Sequence, residues 1–296
     1  MPVLEIKELS KSYGRTKALD NLNLKIEQGQ IYGILGPNGS GKTTTLGIIL
    51  DILKQDSGTF AWFDGAYGEK ARLKIGAILE TPNFYPYMNG PANLDIIRQI
   101  KGLDSINSDA LLEQVNLAHR KKSPFRSYSL GMKQRLAIAA TLIGDPEVVI
   151  FDEPTNGLDP EGISEVRNIL ANVAQGGRTV IMASHLLDEV EKICSHVAII
   201  KNGKLLATGP VGSILNSDIT VEVNASDRER LIIALKNITR SDNLKERKQW
   251  IECQIDDSTD IEAFSRQLYS EGIIPTHFVV RRRKLEEEFL TITQNS

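Results

Sequence analysis

The residues with the clearest chemistry are eight in a row, Gly36-Pro37-Asn38-Gly39-Ser40-Gly41-Lys42-Thr43. They fit the pattern G-x-x-x-x-G-K-[ST]. The glycines let a backbone wrap closely around phosphate oxygens with several N–H groups turned inward. A helix opening at the end of the loop presents its positive N-terminus to the same anion. Lys42 can reach the β- and γ-phosphates, and the Thr43 hydroxyl can ligate Mg²⁺. The loop from Gly36 to Thr44 is therefore expected to cradle ATP, with Gly36, Pro37, Asn38, Gly39, Ser40, Gly41, Lys42, Thr43 and Thr44 as its binding residues.

A second group lies at Val148-Val149-Ile150-Phe151-Asp152-Glu153-Pro154. Four apolar residues in a row are expected of a parallel strand buried on both faces. Ligands of open α/β sheets bind beyond the carboxyl ends of such strands. Asp152 is placed there to hold Mg²⁺ directly or through water, and Glu153 to accept a proton from an attacking water. Without the phosphate loop upstream, two solvated acids at a strand end would be an equal reading.

These residues need a scaffold, and the pattern supplies one. Leu4–Leu9 and Leu22–Ile26 alternate as half-buried strands. Apolar strands are expected at Gln30–Leu35, Ile75–Leu79, Val148–Phe151, Thr179–Ala183 and Val197–Ile200, with a helix over Thr43–Leu53. Asn202-Gly203 signals a hairpin, because both residues tolerate positive φ. Helices are expected at Pro91–Lys101, Asp109–Val115 and Met132–Ile143, so a helical block of about residues 85–145 interrupts an α/β core. Beyond Gly209-Pro210 the pattern changes. Strands at Ile219–Val223, Trp250–Ile255 and Ile273–Arg281, helices at Asp227–Lys236 and Ile261–Ser270, and a strand near Ile238–Arg240 would give a ferredoxin-like β-α-β-β-α-β order. The expected domains are 1–215 and 216–296.

Composition sets outer limits. The chain has 296 residues, 41% hydrophobic and 25% charged, with a net charge of −3, which does not suggest a general binder of nucleic acid. Arg281-Arg282-Arg283-Lys284 reads as a solvated strand end or helix start. Cys194 and Cys253 form no metal or redox motif and fit a reducing cytoplasm. No signal peptide is expected from the first residues. No apolar run approaches the ~18 residues needed to span a bilayer, so another chain would have to do the spanning.

Taken as a set, these motifs resemble the nucleotide-binding subunit of an ATP-binding cassette (ABC) transporter over about residues 3–215. Tyr128-Ser129-Leu130-Gly131-Met132-Lys133-Gln134-Arg135 stands where that family has its signature motif. Asn156-Gly157-Leu158-Asp159 resembles its D-loop, Ser184-His185 its switch histidine, and Tyr13 in Ser12-Tyr13-Gly14 the aromatic that stacks on adenine. The implied fold is a P-loop NTPase of ABC type: a mostly parallel core sheet, an antiparallel N-terminal part and an inserted helical subdomain, followed by a small α+β domain. Ser129 and Gly131 would serve the ATP of a facing subunit; by itself Ser129 reads as a helix N-cap. His185 would bond the γ-phosphate and orient Glu153, which with Lys42 makes the implied catalytic set.

The sequence departs from the family in two places. Glu80 occupies the Q-loop position, where glutamine is usual; a carboxylate is still a hard ligand for Mg²⁺ but adds negative charge. Leu130 and Met132 replace a glycine and the glutamine of the signature. The combination is similar to ATPases that export peptide antibiotics such as bacitracin and lantibiotics. The implied partners are a separate transmembrane permease and a second nucleotide-binding subunit, in a homodimer, with no nucleic acid. The implied location is cytoplasmic, peripheral on the inner face of the membrane. The rival reading is a soluble ABC-type ATPase acting on ribosomes or nucleic acid; such relatives commonly carry two cassettes, or coiled-coil or zinc insertions, which this chain lacks.

Overall fold

The computed structural model describes residues 2–79, 83–215, 218–239, 244–256, 260–282 and 285–294. The chain opens with two long strands, β1 (Pro2–Tyr13) and β2 (Thr16–Glu27), paired antiparallel through a turn at Gly14. Only half of each strand was legible, because clean burial alternation covers only part of each. Strand β3 (Ile31–Leu35) follows, then helix α1 (Lys42–Ile49). Strand β4 (Ser57–Trp62) pairs with β1, completing an antiparallel sheet of order β2-β1-β4.

Helix α1 ends four residues before the predicted Leu53. Asp51 adopts φ 57°, and the N–H groups of Ile52 and Leu53 both turn back onto Gly47 O at 2.9 and 3.0 Å. A Cβ on Gly47 would lie 2.8 Å from Leu53 Cδ1. The missing side chain lets Leu53 fold over the helix, so an apolar run that looks helical closes as a cap instead.

Strand β5 (Ile75–Ile78) leads to the helical block: α2 (Gly90–Ile100), α3 (Ser108–Gln114) and α4 (Leu130–Thr141). Each has a side-chain N-cap, with Asn89, Asn107 and Ser129 accepting from Ala92, Ala110 and Met132 N–H. Such caps contribute about 1 kcal/mol each. Then come β6 (Val148–Asp152), α5 (Pro160–Gln175), β7 (Thr179–Ser184), α6 (Leu187–Ile193), β8 (His196–Lys201), β9 (Lys204–Pro210) and the single turn α7 (Val211–Ile214). Every residue of β6 and β7 is buried, as continuous apolar strands between two covered faces must be. The core sheet has the order β5-β6-β7-β3-β8-β9, parallel except for β9. Asn202 (φ 50°) and Gly203 (φ 77°) make the hairpin turn between β8 and β9.

Residues up to Val211, rejoined by those from Ile292 onward, form one compact unit; Gly212–Thr291 form a second. The second unit runs β10 (Asp218–Ala225), α8 (Arg228–Ile238), β11 (Leu244–Glu246), β12 (Ile251–Asp256), α9 (Ile261–Ser270) and β13 (Pro275–Arg282), before α10 (Leu285–Gln294). All its strand pairs are antiparallel, in the order β11-β12-β10-β13. That is a β-α-β-β-α-β unit, but its second strand is not where the sequence suggested. Ile238 is the last residue of α8, and the strand lies at Leu244–Glu246. Val221, Leu231, Leu235, Cys253, Phe264 and Leu268 form its buried core.

Candidate nucleotide site

The strand order decides which side chains meet. Strand β3 lies beside β7, and β7 beside β6. Leu35 is in register with Ser184, and Asp152 with Ala183. The next residues along the chain, Gly36, His185 and Glu153, therefore emerge together at the carboxyl ends of three neighbouring strands.

Two glycines of the loop are required by packing. A Cβ on Gly36 would lie 2.2 Å from Ile200 O and 2.4 Å from Ser40 Oγ. Gly41 has φ 109°, and a Cβ there would lie 2.5 Å from Ala18 O. The loop is braced from outside itself: Gly203 N–H donates to Ser40 O at 2.9 Å, and Asp20 N–H donates to Gly203 O at 2.9 Å. Ser40 N–H turns back onto Pro37 O at 3.1 Å. Ser40 Oγ is buried and has no hydrogen-bond partner. An unpaired buried hydroxyl costs about 1–3 kcal/mol, and a phosphate oxygen in the cradle would satisfy it.

Lys42 is only 6% exposed; its Nζ donates to Gly36 O at 2.8 Å and Pro37 O at 3.3 Å, and lies 3.7 Å from Glu153 Oε1. Thr43 Oγ1 donates to Asp152 Oδ2 at 2.7 Å, joining α1 to the end of β6. Glu153 Oε2 lies 2.8 Å from His185 Nδ1 and accepts from His185 N–H at 3.4 Å. Glu153 itself has φ 50°, a left-handed conformation that costs a non-glycine residue about 1–2 kcal/mol. Its N–H is held by Ala183 O at 2.9 Å, and its own carbonyl accepts from Asn156 N–H at 3.1 Å. Strain of this kind concentrates where a side chain must be aimed. Lys42, Thr43, Asp152, Glu153 and His185 thus converge on one site at the loop.

Ser129 and Gly131 lie elsewhere. They line a separate cavity of about 840 Å³ together with Arg135, His119, Gly157–Asp159 and Gly162, and no residue of Gly36–Thr44 lines it. Ser129 Oγ caps α4, accepting from Met132 N–H at 3.3 Å. A Cβ on Gly131 would meet only Leu158 Cδ2, at 3.9 Å. Packing within this chain gives no reason for a glycine there; close approach of something from outside would. Tyr13, 48% exposed, ends β1 with Lys11 Nζ 5.7 Å from its ring centre. Glu80 lies outside the described residues.

Sequence reasoning missed two parts of this arrangement. Asp159, read only as part of the D-loop, also caps α5 by accepting from Gly162 N–H at 2.9 Å, and the Gly157–Asp159 turn lines the Ser129 cavity; the Asp-Pro pair opening the helix was the available signal for the cap. Arg135, 8% exposed, donates to Asn116 O at 3.1 Å and Glu165 at 3.3 Å. Nothing local in the sequence marks that contact.

The ABC transporter family model matches residues 19–156. The bacitracin transport ATP-binding protein BcrA of Bacillus licheniformis is 39% identical over 240 residues, covering 79% of this chain and 78% of that protein. This chain belongs to the ABC transporter family. The lantibiotic transport ATP-binding protein SrtF of Streptococcus pyogenes is 38% identical over 69% of this chain and 89% of its own. Among solved structures, cbiO1 from Clostridium perfringens, part of the ABC transporter complex cbiONQ, aligns with a TM-score of 0.64 at 30% identity, covering 72% of this chain and 90% of that one. This ABC subunit binds ATP and hydrolyses it to power a membrane transporter. Each of these relatives is named for a transporter, which favours that reading over action on ribosomes or nucleic acid. Among the described residues, no helix is long and apolar enough to cross a membrane.

Proposed function

We propose that the chain works as one of two identical subunits seated on the inner face of a membrane, where closure around two ATP molecules drives a separate permease. The observation that carries this is the separation of the two half-sites. Lys42, Thr43, Asp152, Glu153 and His185 converge on one loop, while Ser129 and Gly131 line a cavity that loop does not reach. A helix cap and a glycine unexplained by internal packing suit a phosphate presented by a facing copy.

The geometry and the family resemblance together support the following roles. The loop N–H groups and Ser40 Oγ hold the phosphates. Lys42 exchanges its carbonyl partners, Gly36 and Pro37, for phosphate oxygens. Tyr13 stacks on adenine. The Thr43 hydroxyl and the Asp152 carboxylate offer hard oxygens of the kind Mg²⁺ takes, and Mg²⁺ bound there would neutralise charge on the triphosphate. Glu153, aimed by its strained backbone and by His185, accepts the proton of the attacking water. Most of the acceleration comes from placement and fixed charge.

Relatives named for bacitracin and lantibiotic transport support an antimicrobial peptide as the kind of cargo, and the direction proposed is export. Gel filtration of Glu153→Gln tests the split site: a shift from monomer to dimer with ATP is expected, and a monomer at saturating ATP would refute the reading.

A further inference from the structure

One buried amide outside every motif holds a loop that points both outward and toward Ser129. Asn93, in the first turns of α2, is 1% exposed. Its Oδ1 accepts from Tyr85 N–H at 2.8 Å. Its Nδ2 faces the carbonyls of Asn89, Tyr85 and Met88 at 3.1, 3.2 and 3.3 Å. An amide has two donor hydrogens and one carbonyl oxygen, so the whole side chain is committed to the turn from Tyr85 to Asn89. That turn carries large side chains into solvent: Tyr85 is 58% exposed, Tyr87 79% and Met88 41%.

The other side of the turn is fastened to the segment before the signature serine. Phe125 N–H donates to Met88 O at 2.8 Å, and Arg126 N–H donates to Pro86 O at 2.9 Å. Asn89 and Pro124 form an isolated bridge. The Arg126 guanidinium lies 5.3 Å from the centre of the Tyr87 ring. Phe125 packs on Phe84 and Tyr128, with ring centres 5.2 and 5.8 Å apart. Tyr128 directly precedes Ser129, the cap of α4. None of these bonds involves Lys42, Asp152, Glu153 or His185.

We infer that Asn93 is a positioning residue: its amide makes Tyr85–Asn89 a stiff turn that holds Phe125–Tyr128 and, with them, Ser129 in place. This rests on the reading that Ser129 completes the site of a facing subunit. Asn93 then acts on turnover without touching nucleotide, through the half-site that its own chain lends to the other.

Amide hydrogen exchange and steady-state ATP hydrolysis on the purified full chain test this, comparing wild type with Asn93→Ala, Asn93→Asp and Ser129→Ala. Asn93→Ala is expected to speed exchange at the Phe125 and Arg126 amides at least tenfold and to lower kcat at least tenfold. The Kd for ATP measured without Mg²⁺ should stay within twofold, and exchange in α1 should not change. Asn93→Asp keeps the acceptor for Tyr85 but sets a buried carboxylate oxygen against three carbonyl oxygens, so its effects should equal or exceed those of Asn93→Ala. Wild-type exchange at Phe125 and Arg126, or a parallel fall in kcat and ATP affinity, would overturn the inference. If Asn93→Ala does not fold, Tyr87→Ala, which removes an exposed ring, should still speed exchange at Arg126; an unchanged rate there would overturn it equally. Full activity in Ser129→Ala would refute the split-site reading itself. A slow Ser129→Ala beside a fully active Asn93→Ala would refute only the role given to Asn93.

Discussion

Glu153 Oε2 lies 2.8 Å from His185 Nδ1, and the two residues sit at the ends of adjacent strands whose register brings Asp152 beside Ala183. The imidazole therefore orients a carboxylate whose backbone is already held at φ 50°. Proton acceptance by such a group contributes about 10²–10⁴-fold to rate. Glu153→Gln should lower kcat by at least ~10²-fold and leave ATP affinity within a few-fold. Phosphate release and equilibrium nucleotide binding measure the two quantities separately.

His185→Ala should cost less. It removes the orienting group and leaves the carboxylate, so we expect a loss of roughly 10-fold or more in kcat, within the range for a misplaced catalytic group. In the Glu153→Gln background the same change should add little, because residues acting as a unit are not additive. A double-mutant cycle on kcat decides it; simple multiplication of the two losses would mean that His185 acts independently.

Glycines of the two half-sites should respond oppositely to alanine. Gly36→Ala places a Cβ 2.2 Å from a backbone carbonyl and should lower Tm and abolish ATP binding. Gly131→Ala meets nothing closer than 3.9 Å and lies in a helix, where alanine is favoured by about 0.5–1 kcal/mol. Its Tm should hold or rise while ATP turnover falls. Thermal melts beside ATPase assays separate the cases.

The Cys194 thiol is buried and its pKa is pushed up to about 12 by desolvation, from an ordinary 9.0. The folded state keeps its proton when the unfolded state would lose it. The resulting stability is therefore complete below about pH 9 and is lost as pH rises toward about 12. Iodoacetamide at pH 8 should leave Cys194 unlabelled in the native chain and label it in urea, as peptide mass spectrometry would show.

The Gly36–Thr44 loop was legible because phosphate binding needs particular residues at fixed spacing, and Val148–Phe151 because a doubly buried strand must be apolar throughout. The early stop of α1 was not, since Ile52 and Leu53 continue a helical pattern and only the absent Cβ of Gly47 reveals that they fold back. Leu244-Lys245-Glu246 is too short to show a period, so β11 was placed too early. The cavity at Ser129 was half legible: the cap could be read locally, but the approach of Leu158 and Glu165 depends on how α4 and α5 pack. Asn93 had no signal, because a buried asparagine in a helix looks like a surface one until its neighbours are known.

Gly203 braces the phosphate loop from more than 160 residues further along the chain, through its bond to Ser40 O. Strand β3 likewise sits between β7 and β8, both of which come later. During synthesis, then, the ribosome releases Gly36–Thr44 long before the parts that shape it. The nascent chain should carry the phosphate-binding residues without affinity for ATP until the hairpin at Asn202-Gly203 has left the exit tunnel. An incomplete or truncated subunit would thus be unable to sequester nucleotide.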